Sequence, residues 1–317
     1  MGRRPPDVQG TGYRHPRYAE SLREFGTPLE LPACGGWILE RAIPGCPDRD
    51  AMGCYPLFAC RDWSRLGSDV EGLGERLVSL TMVTDPFGEY DEALLRRSFP
   101  DLAVPFKQHC VIDLHKPVSD VVSRGHRKEA RRALRAVRVH VHPSPAEFLD
   151  TWMDLHRHLV ARHRIRGIPA FSRAAFAKQL ATPGIVVLWA ALGDEPVAAT
   201  LYLLHDGVAY GHVLGCTDAG YKHNALYALI WSGIETLRGS AQGIDLMGVP
   251  GADDAGGQGI RHFKQGWTPE TRTAWLCGRI LNARRYDELV RVTETARARY
   301  FPAYRDGEMT AAPEQPS

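Results

Sequence analysis

The chain has 317 residues, 44% of them hydrophobic and 24% charged. That is enough for one large or two medium cores, and it excludes an intrinsically disordered composition. Its 39 Lys and Arg against 37 Asp and Glu leave a net charge of +2, so any anion-binding role must come from local clustering. No apolar run approaches the roughly 18 residues of a membrane span, and no apolar stretch follows the N-terminal Met-Gly-Arg-Arg-Pro-Pro. The seven cysteines are an odd number without a C-x-x-C pair. The expectation is therefore reduced thiols, no metal site and a cytoplasmic location.

Residues 1–30 are polar and rich in proline, glycine and arginine, and read as an extended surface segment. Trp37–Ile43, Tyr55–Cys60, Leu77–Val83 and Phe106–Leu114 read as strands. Asp69–Leu77 reads as a helix weakened by two glycines, and Glu89–Phe99 as a helix with Leu94, Leu95 and Phe99 on one side. From Ser119 or Asp120 to about Val137 the spacing of Val122, Ala130, Ala133, Leu134 and Val137 predicts a helix. The rest carries Arg124, His126, Arg127, Lys128, Arg131, Arg132, Arg135 and Arg138 against the single acid Glu129. Such a face is either plainly solvated or a binding surface for phosphates, with Arg127, Lys128 and Arg131 as its candidates. No aromatic interleaves with these cations, so the helix offers no base-stacking platform of its own.

Val139–His142 reads as a short strand. Ser144 with Glu147 three residues on has a capping-box spacing before the apolar stripe Phe148, Trp152, Leu155 and Leu159. Cations crowd the end of that helix, and Ser172 opens another. The period then changes to that of strands. Ile185–Leu192, Val197–Leu204 and Val208–Leu214 are separated by Gly193-Asp-Glu-Pro196 and His205-Asp-Gly207, which makes an antiparallel meander. A helix over Ala225–Leu237 and a buried strand at Gly243–Val249 follow. Next come a loop too rich in glycine and aspartate for regular structure, Pro250–Gln258, and Gly259-Ile-Arg-His-Phe-Lys-Gln-Gly-Trp267. That last stretch sets one lysine among aromatics and glycines, which is either a way to hold a cation over a reacting group or a surface turn.

Helix, helix, three-strand meander, helix, strand is the layout of the Gcn5-related acyltransferase (GNAT) fold. Three stretches carry the closer resemblance: Arg162-His-Arg-Ile-Arg-Gly-Ile-Pro-Ala-Phe-Ser172, Tyr221 with Ala225-Leu-Tyr-Ala-Leu-Ile-Trp231, and Gly259-x-x-x-Phe263-Lys264-x-Gly266-Trp267. Over about residues 120–280 the chain resembles the Fem-type peptidyltransferases and their BioF2-like acetyltransferase relatives. The resemblance implies an α/β (α+β) protein of tandem GNAT-like domains, with mixed, mostly antiparallel sheets flanked by helices. A degenerate copy would occupy residues 1–118, the transferase domain 119–301 and a flexible tail 302–317.

It also implies transfer of an acyl group to an amine. The donor is an aminoacyl-tRNA in Fem-type enzymes and an acyl-coenzyme A in ordinary relatives, and neither is a tightly bound cofactor. The corner Ala219-Gly-Tyr-Lys-His-Asn-Ala-Leu226 lacks the glycine pair of the usual pyrophosphate loop, which favours aminoacyl-tRNA. By the resemblance, Lys264 stabilises the oxyanion formed when the amine attacks, or clamps the carrier's phosphate. Phe263 and Trp267 wall the pocket, or pack in the core. Asp245, on a central strand, is the candidate base. Tyr210, His212, Tyr221, Arg164 and Arg166 are candidate substrate contacts, and Lys222 joins the phosphate-binding set. The acceptor is a small-molecule amine or a cell-wall precursor, tRNA is the expected partner, and DNA is not. A second enzyme reading is an acyl-coenzyme A N-acyltransferase, and a reading of another class is a non-catalytic RNA- or anion-binding protein.

Overall fold

A computed structural model describes residues 10–249 and 257–308. In chain order the elements are α1 (Pro16–Ser21), β1 (Thr27–Leu31), β2 (Gly36–Ala42), β3 (Arg49–Gly53), α2 (Leu66–Gly72), β4 (Ser79–Val83), α3 (Glu92–Ser98) and β5 (Leu102–Asp113). Next come α4 (Val118–Val121), α5 (Arg124–Ala133), β6 (Arg138–Val141), α6 (Leu149–His163), α7 (Arg173–Gln179), β7 (Ile185–Leu192), β8 (Glu195–His205) and β9 (Val208–Cys216). The last are α8 (Asp218–Lys222), α9 (Ala225–Leu237), β10 (Gly243–Gly248), α10 (Gly257–Gln265), β11 (Thr271–Ile280) and α11 (Ala283–Val292).

The described residues form two compact units. A leading unit takes residues 13–106, 166–175 and 274–308, and a trailing unit takes 10–12, 107–165 and 176–273. Each unit is built from interleaved segments of the chain. Residues 283–308 fold with the leading unit, where Tyr304 and Arg305 are buried rather than part of a loose tail.

The trailing unit contains the expected meander. β7, β8 and β9 pair antiparallel, β6 lies antiparallel outside β7, β9 pairs parallel with β10, and β10 pairs antiparallel with β5. The leading unit repeats that succession: β1, β2 and β3 antiparallel, β3 parallel to β4, and β4 antiparallel to β11. Each sheet is thus closed by a strand from the other half of the sequence. The fold is mixed α/β, with sheets flanked by helices in the GNAT manner.

Several local expectations change. Tyr13, Tyr18, Ala19 and Leu22 are buried, so the first thirty residues are not all surface coil. Tyr55–Cys60 makes only an isolated bridge, Phe58 to Thr84. Ser144 makes no side-chain cap, because Pro145–Phe148 forms a 3-10 turn before α6 begins. Ser123, not Ser119 or Asp120, caps the basic helix by accepting from the His126 N–H at 3.2 Å. The loop expected at Pro250–Gln258 lies outside the described residues over 250–256. Gly259–Trp267 is not a turn: residues up to Gln265 belong to α10.

The trailing core sets Ala130 and Ala133 of α5 and Ala225, Leu229 and Ile234 of α9 against Leu188, Ala190, Ala209 and Ile244 of the sheet. Trp267, fully buried, joins this core. An indole of that kind removes about 150–250 Å² from water, one of the larger single contributions to a domain. Gly266 makes the packing feasible. A Cβ there would lie 2.0 Å from the His126 ring, whose Nε2 donates to the Phe263 carbonyl at 2.8 Å. Gly266→Ala should therefore lower stability by about 1–3 kcal/mol through overpacking. Adding His126→Ala should return part of that loss, which a double-mutant cycle of denaturant midpoints would measure.

Candidate active site

The site is built where two parallel strands part. β9 and β10 pair at Gly243 with Val208, Ile244 with Ala209 and Asp245 with Tyr210. Beyond Asp245 the strands separate, and β9 runs on to Cys216. β10 is irregular at this point, with a register shift against β5 between Asp245 and Gly248 and a left-handed Met247 at φ 64°. The irregularity exposes backbone carbonyls that no ladder neighbour uses.

Asp245 holds the broken strand end. Its side chain is fully buried; Oδ1 accepts from the Met247 N–H at 2.7 Å, and Oδ2 pairs with Nδ1 of buried His109 at 2.8 Å. A buried carboxylate costs several kcal/mol unless its lone pairs are filled, and here both oxygens are engaged. Lys264 reaches the same place from α10. Its Nζ donates to the Gly248 carbonyl at 2.8 Å and to the Met247 carbonyl at 3.2 Å. An ammonium has three donors, so one remains for another acceptor. Burial pulls the Lys264 pKa down to about 8, against the opposing pull of Asp245 and Cys110 toward the charged form, and Lys107 lowers it further. Burial raises the Cys110 thiol in turn. A cation with weakened hydration at a strand parting suits the stabilisation of a developing oxyanion.

The aromatics of the motif have a different place. Phe263, Trp267, Tyr227 and the His126 ring form one cluster, with centroid separations from 4.9 to 6.3 Å. Trp267 is core, so it is not a pocket wall; Phe263 is half-buried against that core. Tyr210 is also fully buried and stacks on His205 at 4.4 Å. His212 is nearly buried, bonds Gln179 at 3.1 Å, and burial with nearby His156 pushes its pKa down to about 3. Both residues support the β9 arm from within and are not presented to a substrate in this structure.

The basic helix is tied to the lysine helix. The Ser123 N–H donates to the Gly266 carbonyl at 2.9 Å, and His126 holds the Phe263 carbonyl. Lys128 and Arg131 are exposed along α5, and Arg127 is half-buried. Glu129, the helix's one acid, accepts from Asn224 Nδ2 at 3.0 Å and lies 3.9 Å from Arg132. Lys222 is exposed on α8. At the corner before α9, Tyr221 lies under Arg162, which is 4.2 Å from the ring centroid and 3.1 Å from Asp218. The amides of Gly220, Tyr221, His223 and Asn224 are all used within this corner. Arg164 is exposed at the left-handed end of α6, and Arg166 is exposed in the leading unit.

Sequence reasoning passed over His109, Cys110 and Lys107. They sit on a strand that it had found, but only the pairing of β5 with β10 brings them to Asp245 and Lys264. Among the described residues no group of three or more His, Cys, Asp or Glu could hold a metal, and no helix is long and apolar enough to cross a membrane.

Residues 122–265 match the family model of the acetyltransferase (GNAT) domain. No curated protein matches by sequence. Among solved structures the chain is similar to FemX, with a TM-score of 0.62 at 12% identity over 89% of this chain and 94% of that one. It is similar to the C-terminal domain of a candidate lysylphosphatidylglycerol synthetase from Agrobacterium fabrum, with a TM-score of 0.58 at 14% identity over 86% and 91%. L-PGS from Bacillus licheniformis gives a TM-score of 0.56 at 16% identity over 90% and 98%. Residues 122–265 thus match the GNAT acetyltransferase domain, and the chain shares its fold with FemX and the two lysylphosphatidylglycerol synthetase structures.

Proposed function

We propose that this acyltransferase moves an aminoacyl group from aminoacyl-tRNA onto a small-molecule amine. The amine nitrogen attacks the ester carbonyl, and the C–O bond to the tRNA hydroxyl breaks. An amide forms, and the proton lost by the amine balances the one gained by the leaving hydroxyl. The observation that carries this reading is Lys264, an ammonium fixed on the Met247 and Gly248 carbonyls where β9 and β10 part. Its remaining donor would meet the oxyanion, a contact that is stronger in the transition state than in the ground state. Asp245 acts here as a positioning residue: both of its oxygens are engaged in holding the strand end.

Two features support tRNA over coenzyme A. The corner before α9 is taken up by the turn of α8, so fewer amides are left for a pyrophosphate. The exposed cations of α5 lie on a helix bonded directly to the end of α10, which suits a polyanionic carrier. The name of the Agrobacterium protein states a lysyl-carrying product, which is consistent with aminoacyl chemistry on this fold. The longest helix among the described residues is α6, with 15 residues, so they include no long helical arm of the kind some cell-wall members carry.

Lys264→Met should cut kcat by about 10²-fold or more while the melting temperature changes little, because removing a buried ammonium offsets the loss of its two hydrogen bonds. Parallel turnover and thermal melts would check this, and unchanged turnover would remove Lys264 from the reaction. The pH profile follows from the lowered pKa. The ammonium is intact below about 8 and is lost as pH rises through that value, so kcat at saturating amine should fall on the alkaline side. The Lys264→Met residual rate should lack that alkaline limb. RNase treatment of the assay should abolish amide formation, whereas activity that survives RNase and needs acyl-coenzyme A would favour the coenzyme reading.

A further inference from the structure

The leading unit contains a pocket of about 430 Å³ that the transfer chemistry does not use. Its floor is formed by Arg41 of β2 and by Arg305, which are 9% and 7% exposed. Beneath them lies Asp50, fully buried. Arg305 grips Asp50 with Nε at 2.5 Å and Nη2 at 2.9 Å, and Tyr304 donates to the same carboxylate at 3.1 Å. Arg41 Nε lies 3.4 Å from Asp50. The two hydrogen bonds fix the Arg305 guanidinium plane from below, and the ion pair with Asp50 holds Arg41 beside it.

From above, one atom accepts from both arginines. Glu308 Oε1 accepts from Arg41 Nη1 at 3.0 Å and from Arg305 Nη1 at 3.0 Å. With Asp50 and Glu308 each negative, the floor is neutral; without Glu308 it carries one unmatched positive charge facing an open cavity. A carboxylate in a two-arginine cradle is a strong, charge-assisted arrangement. Gly26 keeps room for the Arg41 side chain, since a Cβ there would lie 2.9 Å from Arg41 Cγ and from the Glu40 carbonyl. Phe25 and Ile168 give the pocket an apolar side. Its other charged lining is already engaged: Arg23 with Glu20, Arg49 with Glu40, and Glu24 with the Ser172 N–H.

We infer that the leading unit holds a binding site for a small carboxylic acid, and that Glu308 closes it here by occupying the Arg41–Arg305 cradle in the ligand's place. The ligand's carboxylate replaces that of Glu308, and its apolar end lies along Phe25 and Ile168. Binding releases Glu308 from the floor and so couples pocket occupancy to the segment after Tyr304. The site does not depend on the identity of the acyl donor.

The test uses the full chain with Glu308→Ala and sodium propionate as the probe, with sodium chloride at matched ionic strength as the control. The variant should melt below wild type, and propionate should restore its melting temperature saturably where chloride does not. Wild type should respond at least about tenfold more weakly, because its own carboxylate competes. Glu308→Gln, which keeps the shape but is a weaker acceptor, should fall between the two. Arg41→Gln added to Glu308→Ala should abolish the response. The proposal is overturned if Glu308→Ala answers propionate no better than chloride, if it answers no better than wild type, or if the response survives loss of Arg41.

Discussion

Everything proposed for the reaction depends on how one strand end is held open. β10 must leave β9 after Asp245, and a strand that leaves its ladder strands its own polar backbone. Asp245 takes up the Met247 amide, and Lys264 takes up the Met247 and Gly248 carbonyls. His109, from the neighbouring strand, fills the remaining carboxylate oxygen. The four groups form one small unit in which the Lys264 ammonium keeps one donor open. Its ammonium is poorly solvated, which is the state in which a cation does most for a developing negative charge.

This arrangement also divides the labour within the Phe-Lys-x-Gly-Trp stretch. Successive residues of a helix point in different directions, so Lys264 meets the strand end while Phe263 turns to the core, where Trp267 just past the helix is also buried. Gly266 lets the His126 ring pass close to the chain, and that ring secures the Phe263 carbonyl. The motif is thus one reactive side chain with its mounting. The basic helix α5 is bonded to that same mounting through Ser123 and His126.

Much of the trailing fold was legible from local pattern. The meander announced itself by alternating apolar runs and glycine turns, and α9 by its apolar stripe. What escaped depended on partners distant in sequence. The helix α10 was hidden by Gly257 and Gly259, which oppose helix formation in isolation. β11 and α11 lacked a strong period, and β1 and β3 are short. Asp245 and Lys264 could be singled out from their strand and motif. Their connection to His109 could not, because it is created by strand pairing across 136 residues of sequence. The burial of Tyr210 and His212 was missed for a related reason: a strand's period says that side chains alternate, but not which helix covers each face.

The exchange of closing strands has a consequence for how the chain is made. β4 must wait for β11, some 190 residues later in synthesis, before its open edge is covered. β5 leaves the ribosome long before β10, the strand whose edge it will complete. Neither sheet can finish while the other half of the polypeptide is missing, so the nascent chain carries an unpaired edge through most of its translation. Short β4, at five residues, keeps that edge small, and small edges recruit foreign strands poorly. The order of emergence, rather than the final contacts, sets when this protein is most exposed to aggregation.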